Sequence, residues 1–152
     1  MVSGMRGDWT AAAARFDDAR RTHEAIGNRY GAHLQAYRLG EALAHLGDLD
    51  RAAGLLAEAN AFMAGDGRMR LAGRTALALG TVLARLGRAD EARARLGEAL
   101  SAAEGLGSAR DAARVHDALA DLADTAGTPA EAAHHRAAAE ALRAPAAVPG
   151  AR

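Results

Sequence analysis

Small and apolar residues recur along this chain at one fixed offset, and glycine recurs at half of that offset. The regularly spaced glycines are Gly7, Gly27, Gly47, Gly67, Gly87, Gly107 and Gly127. A run of small and apolar positions repeats at the full offset: Ala36, Leu39, Gly40, Leu43, Gly47, Ala52, Leu56 and Ala59 recur as Ala76, Leu79, Gly80, Leu83, Gly87, Ala92, Leu96 and Ala99. Because alanine is so common here, the leucine and glycine matches carry most of the weight. A period with two equal halves is typical of stacked helical hairpins, which bury their apolar faces only against neighbouring units.

The same pattern places one helix and one tight turn in each interval between glycines. It predicts seven helices, near residues 8–25, 28–46, 48–64, 68–86, 88–105, 108–126 and 128–143. A glycine just past a helix end can adopt the left-handed conformation that terminates the helix, because it has no Cβ atom. Short oxygen-bearing side chains follow several of these glycines and are predicted to cap the next helix: Asp8, Asn28, Asp48 and Ser108. Thr128, Pro129 and Glu131 form a predicted capping box.

These elements predict an all-α, antiparallel helical-hairpin solenoid of about seven helices in a single domain. We place this repeat domain at residues 7–144, between a flexible N-terminus at 1–6 and a flexible tail at 145–152 without helical periodicity.

The order of residues within each unit resembles the tetratricopeptide repeat. A small residue, leucine, glycine and leucine lie on the first helix, and alanine, leucine and alanine lie on the second. Gly40 and Gly80 stand opposite Ala52 and Ala92, which would let the two helices of a hairpin approach closely. The resemblance covers about residues 7–143. The period is longer than that of the usual tetratricopeptide repeat, so the units are similar to the longer repeats of MalT-like and LuxR-type bacterial regulators; HEAT and armadillo repeats have comparable periods.

Composition narrows the classes of function. The chain has 152 residues, 19 acidic and 19 basic, and every basic residue is arginine. Zero net charge argues against direct nucleic-acid binding, which normally needs a basic surface. The chain has no cysteine, so thiolate metal sites and cysteine catalysis are excluded, and no apolar run is long enough to cross a membrane. Residues 1–6 are too short for a signal peptide, which favours a cytoplasmic location.

The first helix of each hairpin predicts a concave binding face, read at spacings of four, three and four residues. It comprises Tyr30, Leu34, Tyr37 and Glu41, then Arg70, Arg74, Leu77 and Thr81, then Arg110, Arg114, Asp117 and Asp121. Because these positions are one repeat apart, Arg70 should lie beside Arg110 and Arg74 beside Arg114. These arginines either bind the carboxylates of an acidic peptide or pair with acidic residues on neighbouring helices. The carboxylate clamps by which tetratricopeptide proteins hold chaperone tails use lysines and asparagines, which are missing from the matching positions here, so chaperone tails are disfavoured as ligands.

No catalytic, cofactor or metal site is predicted. Asp117, Asp121 and Asp124 share one helix face but are interpreted as a solvated acidic face, because calcium sites usually need a flexible loop with more oxygen ligands. The six histidines share no ligand spacing, and no nucleophile, phosphate-binding or zinc motif is present.

The two ends of the predicted solenoid differ. In the last unit His116, Ala123 and Arg136 replace alanine, leucine and leucine of the middle units, as in a terminal repeat with a polar outer face. The first unit has no opening helix, so Ala12, Phe16 and Ala19 should form an uncovered apolar edge through which the chain pairs as a homodimer.

Three functions remain open at this stage. The first is a non-catalytic protein-interaction scaffold, which the resemblance implies is a regulatory or sensor module and a fragment of a larger transcriptional regulator. The second is a receptor for a peptide or small ligand in the concave groove. The third and weakest is an enzyme built on a solenoid.

Overall fold

The computed structural model describes residues 2–145, with side chains from residue 5 onward. The described chain forms seven helices: α1 Val2–Ala25, α2 Arg29–His45, α3 Leu49–Gly65, α4 Met69–Arg85, α5 Ala89–Gly105, α6 Ala109–Ala126 and α7 Pro129–Arg143. All of the regular structure in this range is helical, and consecutive helices pack against each other. The prediction of an all-α solenoid is confirmed. Residues 146–152, the larger part of the predicted tail, lie outside the described residues.

The first helix is longer than the sequence pattern indicated. We placed its start near residue 8, with Asp8 as the cap, but α1 begins at Val2 and runs through Gly7 and Asp8. Gly7 lacks the positive φ of the other regularly spaced glycines, and the Thr10 hydroxyl donates a hydrogen bond of 2.9 Å to the Arg6 carbonyl inside this helix. No helix ends at Gly7, so the turn that the glycine period predicted there is absent.

The remaining turns follow one geometry. The regularly spaced glycines from Gly27 to Gly127, one at each turn between helices, have φ between 66° and 84°, which is the left-handed conformation. At the turn after α4, the amide of Arg88 donates to the Leu83 carbonyl at 2.9 Å and the amide of Gly87 donates to the Ala84 carbonyl at 3.0 Å. These two bonds form a Schellman motif, which satisfies the last carbonyls of the helix.

Only part of the predicted capping at helix starts is present. The Asn28 side chain accepts from the Gly31 amide at 2.9 Å, and Ser108 accepts from the Asp111 amide at 3.2 Å. Asp48 and Thr128 make no side-chain cap. The Thr128 hydroxyl instead donates back to the Ala123 carbonyl at 3.0 Å, so the predicted capping box is not formed.

The hairpins α2–α3 and α4–α5 are each closed by a glycine on the first helix and a leucine on the second. A Cβ atom built on Gly40 would lie 2.7 Å from Cγ of Leu56, and one built on Gly80 would lie 2.8 Å from Cγ of Leu96. Both leucines are fully buried. Small residues are thus required on α2 and α4 at these points, as the sequence predicted. The sequence placed Ala52 and Ala92 opposite the glycines, and in the structure the leucine side chains lie closer than the carbonyls of these alanines.

The interface between the first two hairpins contains two buried polar side chains, Asn60 and Thr75. The Asn60 amide of α3 donates to the hydroxyl of Thr75 at 3.1 Å and to the Ala72 carbonyl at 3.0 Å. The Thr75 hydroxyl in turn donates to the Leu71 carbonyl at 2.7 Å. This network fixes α3 against α4, because an unpaired polar group there would be costly.

The stack is curved. Among the described residues the backbone of α4 lies close to those of α2 and α6, whereas the backbones of α1, α3, α5 and α7 do not approach one another. The side chains of Arg93 on α5 and Glu131 on α7 still form an ion pair of 2.7 Å. The first helices of the hairpins therefore lie on the inner, concave side. No helix in the described part of the chain is both long and apolar enough to cross a bilayer.

Candidate binding groove

A cleft of about 370 Å³ runs over α2, α4 and α6 on the concave side. Eight of the residues predicted for the concave face line it: Tyr37, Glu41, Arg74, Leu77, Thr81, Arg114, Asp117 and Asp121. They meet because positions one repeat apart occupy equivalent places on successive first helices. We call this cleft the concave groove.

Four other predicted residues lie outside the lining of this cleft, nearer the N-terminal ends of the same helices. Tyr30 is partly buried beneath the Arg68 guanidinium, whose central carbon is 3.7 Å from the ring centroid. Leu34 is partly buried on α2, and Arg70 and Arg110 are exposed.

The arginines at this end of the groove form a defined set, the arginine edge: Arg70, Arg74, Arg110 and Arg114. Asp111 of α6 is their neighbouring carboxylate, 3.6 Å from Nε of Arg74 and 4.0 Å from Arg70. Arg110 and Arg114 have no ion-pair partner within 4.0 Å in the described part of the chain. Arg70 and Arg74 therefore pair with an acidic residue of a neighbouring helix, which is one of the two predicted alternatives. Binding of a partner's carboxylates stays a prediction.

The middle of the groove holds two partly buried acidic groups of α2. Burial raises the pKa of the Glu41 carboxyl above its usual range, and Arg114 opposes this effect. Burial, followed by the neighbouring Glu41, raises the pKa of the Tyr37 hydroxyl. Both shifts have the same physical cause, since a charged form loses hydration in the groove.

The acidic residues at the far end of the groove are neutralised by α7. Asp117 pairs with Arg143, and this hydrogen bond lowers the pKa of the Asp117 carboxyl. Arg136 lies 3.4 Å from Asp121 and 2.5 Å from Asp124. The three aspartates therefore form an exposed face, as predicted, whose carboxylates are paired with arginines of α7. The described residues contain no cluster of side chains suited to a metal ion.

Several groove residues were missed from the sequence. Ala78 and Ala118 form part of the floor, and His45 and Arg85 line the end near the helix C-termini. Arg85 donates a hydrogen bond of 2.9 Å to the Ala44 carbonyl, which ties α4 to α2. Ala78 and Ala118 are themselves one repeat apart, so the period would have identified them if the face had been read one residue wider.

Two histidines meet outside the groove, between α6 and α7. The Nδ1 atoms of His116 and His135 are 2.9 Å apart, with one ring donating and the other accepting. Burial, and then the neighbouring His116 and His134, lower the pKa of His135. Spacing along a single helix gave no sign of this pair, because its members are on different helices.

The predicted self-association edge is half-covered. Ala12, Phe16 and Ala19 are each partly buried, and Phe16 packs against the core. Their equivalents in the next unit, Ala52, Leu56 and Ala59, are 0% exposed. The pairing of two chains through this edge stays a prediction.

A second cleft lies on the opposite side, between α3 and α5 with α4 as its floor. Its volume is about 800 Å³, and its lining includes Asn60, Ala64, Met69, Gly73 and Gly97. The cleft one unit earlier, between α1 and α3, has a volume of about 200 Å³ because Arg20, Glu24, Arg29 and His33 occupy the equivalent positions. The sequence analysis did not identify this difference between units.

The fold and the groove together define a curved, helical-hairpin repeat protein. No family model matches the chain, and a search of curated proteins also finds no match. A solved chain described as "MamA MSR-1 C2" is 20% identical, with 86% of this chain and 96% of that chain covered and a TM-score of 0.36. A likeness of this level supports no argument about family or function.

Proposed function

We propose that the chain is a non-catalytic protein-interaction scaffold whose concave groove holds an extended segment of a partner protein. The supporting observation is the groove itself, which crosses three successive first helices, α2, α4 and α6. An extended segment crossing those helices would meet the same set of positions on each of them. Repeat proteins characteristically use such concave surfaces for binding.

The lining of the groove suits a polypeptide. Leu77, Ala78 and Ala118 provide apolar contacts at the centre, and charged groups stand on both sides. Apolar side chains of a partner would be buried on the floor, while polar groups at the sides fix orientation.

A regulatory or sensor role is part of the same proposal. It is based on the resemblance of the long-period units to those of MalT-like and LuxR-type regulators. In that role the chain would be the partner-binding piece of a larger transcriptional regulator, and its zero net charge argues against direct DNA contact by the chain itself.

A receptor for a small ligand is the second candidate. The groove volume of about 370 Å³ falls in the range of small-molecule sites, roughly 300–1,000 Å³. The partly buried Tyr37 and Glu41 would supply the few polar groups that such a site needs.

Selection from a displayed library of random peptides tests the proposal. We expect the selection to yield peptides that bind the wild-type chain. Their affinity for the Ala78→Trp variant should be at least about tenfold lower, because the indole fills the floor of the groove. Ala133→Trp, at an exposed site on α7, is the matched control and should bind normally. Failure to select any peptide, or equal binding to both variants with unchanged helicity, would rule out the groove as a peptide site.

A further inference from the structure

The arginine edge carries an uncompensated positive charge. Four guanidinium groups lie at the N-terminal ends of α4 and α6, and one carboxylate, Asp111, lies within 4.0 Å of any of them in the described residues. Glu41 of α2 also interacts with Arg114, from more than 4.0 Å away. The positive charges therefore outnumber the acidic groups at this edge of a chain whose net charge is zero.

Helix stability does not account for these arginines. Arg70 and Arg110 are the second residues of α4 and α6, where unpaired backbone amides give the helix a partial positive charge. A cation at this place is disfavoured by roughly 0.3–1 kcal/mol. The first turn of α4 has no acidic residue to offset it, whereas the first turn of α6 contains Asp111. Departures from a local rule without a local compensation tend to mark functional positions.

The other charges of the groove do not neutralise the arginine edge. Asp117 and Asp121, at the far end of the groove, are already paired with Arg143 and Arg136 of α7. Glu41 is partly buried on α2 and forms no ion pair within 4.0 Å in the part of the chain that the structure describes. The groove therefore differs between its two ends. At one end Arg110 and Arg114 have no ion-pair partner in the described residues, and at the other end Asp117 and Asp121 are paired with arginines of α7.

We infer that the arginine edge binds carboxylate side chains of an acidic segment in a partner protein. This inference deepens the proposed function and rests on it. Arg110 and Arg114, which have no ion-pair partner in the described residues, are free to bind carboxylates in the bidentate geometry that guanidinium groups favour. Equivalent positions on α2 hold Tyr30 and Leu34, so the segment is acidic where it crosses α4 and α6 and apolar where it reaches α2.

Fluorescence polarisation with two defined peptides tests this inference on the full chain. The probe is a short labelled peptide of alternating glutamate and alanine with one terminal leucine, and its counterpart carries glutamine for glutamate. We expect the glutamate peptide to bind about tenfold or more tightly, and its affinity to fall as salt is raised.

The double variant Arg110→Gln/Arg114→Gln should lose about tenfold in affinity for the glutamate peptide and most of the salt dependence. Its melting temperature should not fall, because neither arginine is ion-paired within the described chain and Arg110 opposes the helix dipole. Arg6→Gln/Arg15→Gln removes the same charge from exposed sites on α1 and serves as the control.

The outcomes separate this inference from the proposed function. Peptides that bind the groove and respond to Ala78→Trp, but bind equally with glutamate or glutamine, would overturn the acidic preference alone. Equal losses in the two double variants would also overturn it, since only net charge would matter. If neither the library nor the defined peptides bind, both the groove function and the acidic preference fail.

Discussion

Asp111 and His135 each have a charged or titratable partner on a neighbouring helix. Asp111 receives Arg70 and Arg74 from α4, and His135 of α7 faces His116 of α6. Most ion pairs of this chain are exposed and contribute little to stability. The partly buried histidine pair is different, because two imidazolium groups could not share the Nδ1–Nδ1 hydrogen bond.

The histidine pair predicts a pH dependence. The groups that face His135 are His116 on α6, His134 and Glu131 on α7, and Arg93 on α5, and the net effect with burial is a pKa below the ordinary value of about 6.5. Since the unfolded chain then binds more protons, stability falls as the pH drops below about 6.5 through the folded-state pKa. His135→Gln should reduce this loss in thermal unfolding followed from about pH 7.5 to about pH 5.5.

Two features of that experiment keep it specific. His33, whose pKa is also lowered by burial, remains in the variant, so part of the pH dependence should persist. The exposed His134→Gln is the control and should retain the wild-type slope more closely. Identical slopes for His135→Gln and the wild type would show that the pair does not titrate on unfolding.

At the level of elements, one set of glycines terminates the helices and another set allows the two helices of a hairpin to pack closely. Gly87 terminates a helix through its positive φ, whereas Gly80 lies inside α4 and is needed because Leu96 occupies the space of its missing Cβ. Gly97 lies inside α5 with nothing within 4 Å of a Cβ. The same substitution should therefore have opposite effects at Gly80 and Gly97.

Alanine substitution tests this contrast. Gly97→Ala should raise the free energy of unfolding by about 0.5–1 kcal/mol, because alanine loses less backbone entropy in a helix. Gly80→Ala should lower it by roughly 1–3 kcal/mol, because Leu96 is fully buried and the Ala92 carbonyl lies 3.3 Å from the new Cβ. Denaturant unfolding measures both, and stabilisation by Gly80→Ala would contradict the assigned hairpin packing.

For the whole molecule, the stack leaves α1 with fewer neighbouring helices than α3 and α5, the equivalent helices in the middle of the stack. Within the described residues α1 packs only against α2, whereas α3 packs against both α2 and α4. This explains why Ala12, Phe16 and Ala19 keep some exposure while their counterparts in the next unit have none. Self-association through α1 stays a prediction.

Charge introduced at this edge tests self-association. Ala12→Glu/Ala19→Glu should convert a dimer to a monomer in sedimentation at micromolar concentration, because each chain would bury two carboxylates in the contact. Arg136→Glu is not a suitable control, since Arg136 pairs with Asp121 and Asp124. Ala137→Glu, exposed on α7, should leave the assembly intact. A wild-type monomer would refute pairing through this edge.

The sequence by itself determined the helices, the turns after Gly27 to Gly127, the closure of hairpins at Gly40 and Gly80, and most of the groove lining. These features depend on local conformation and on a fixed period, both of which are written in the order of residues. The tertiary structure alone decided that α1 continues through Gly7, that Asp111 pairs with Arg70 and Arg74, that α7 neutralises the aspartates of α6, and that His116 meets His135. Such contacts depend on how two helices cross and which rotamers then meet, and residues far apart in sequence do not encode that in any period.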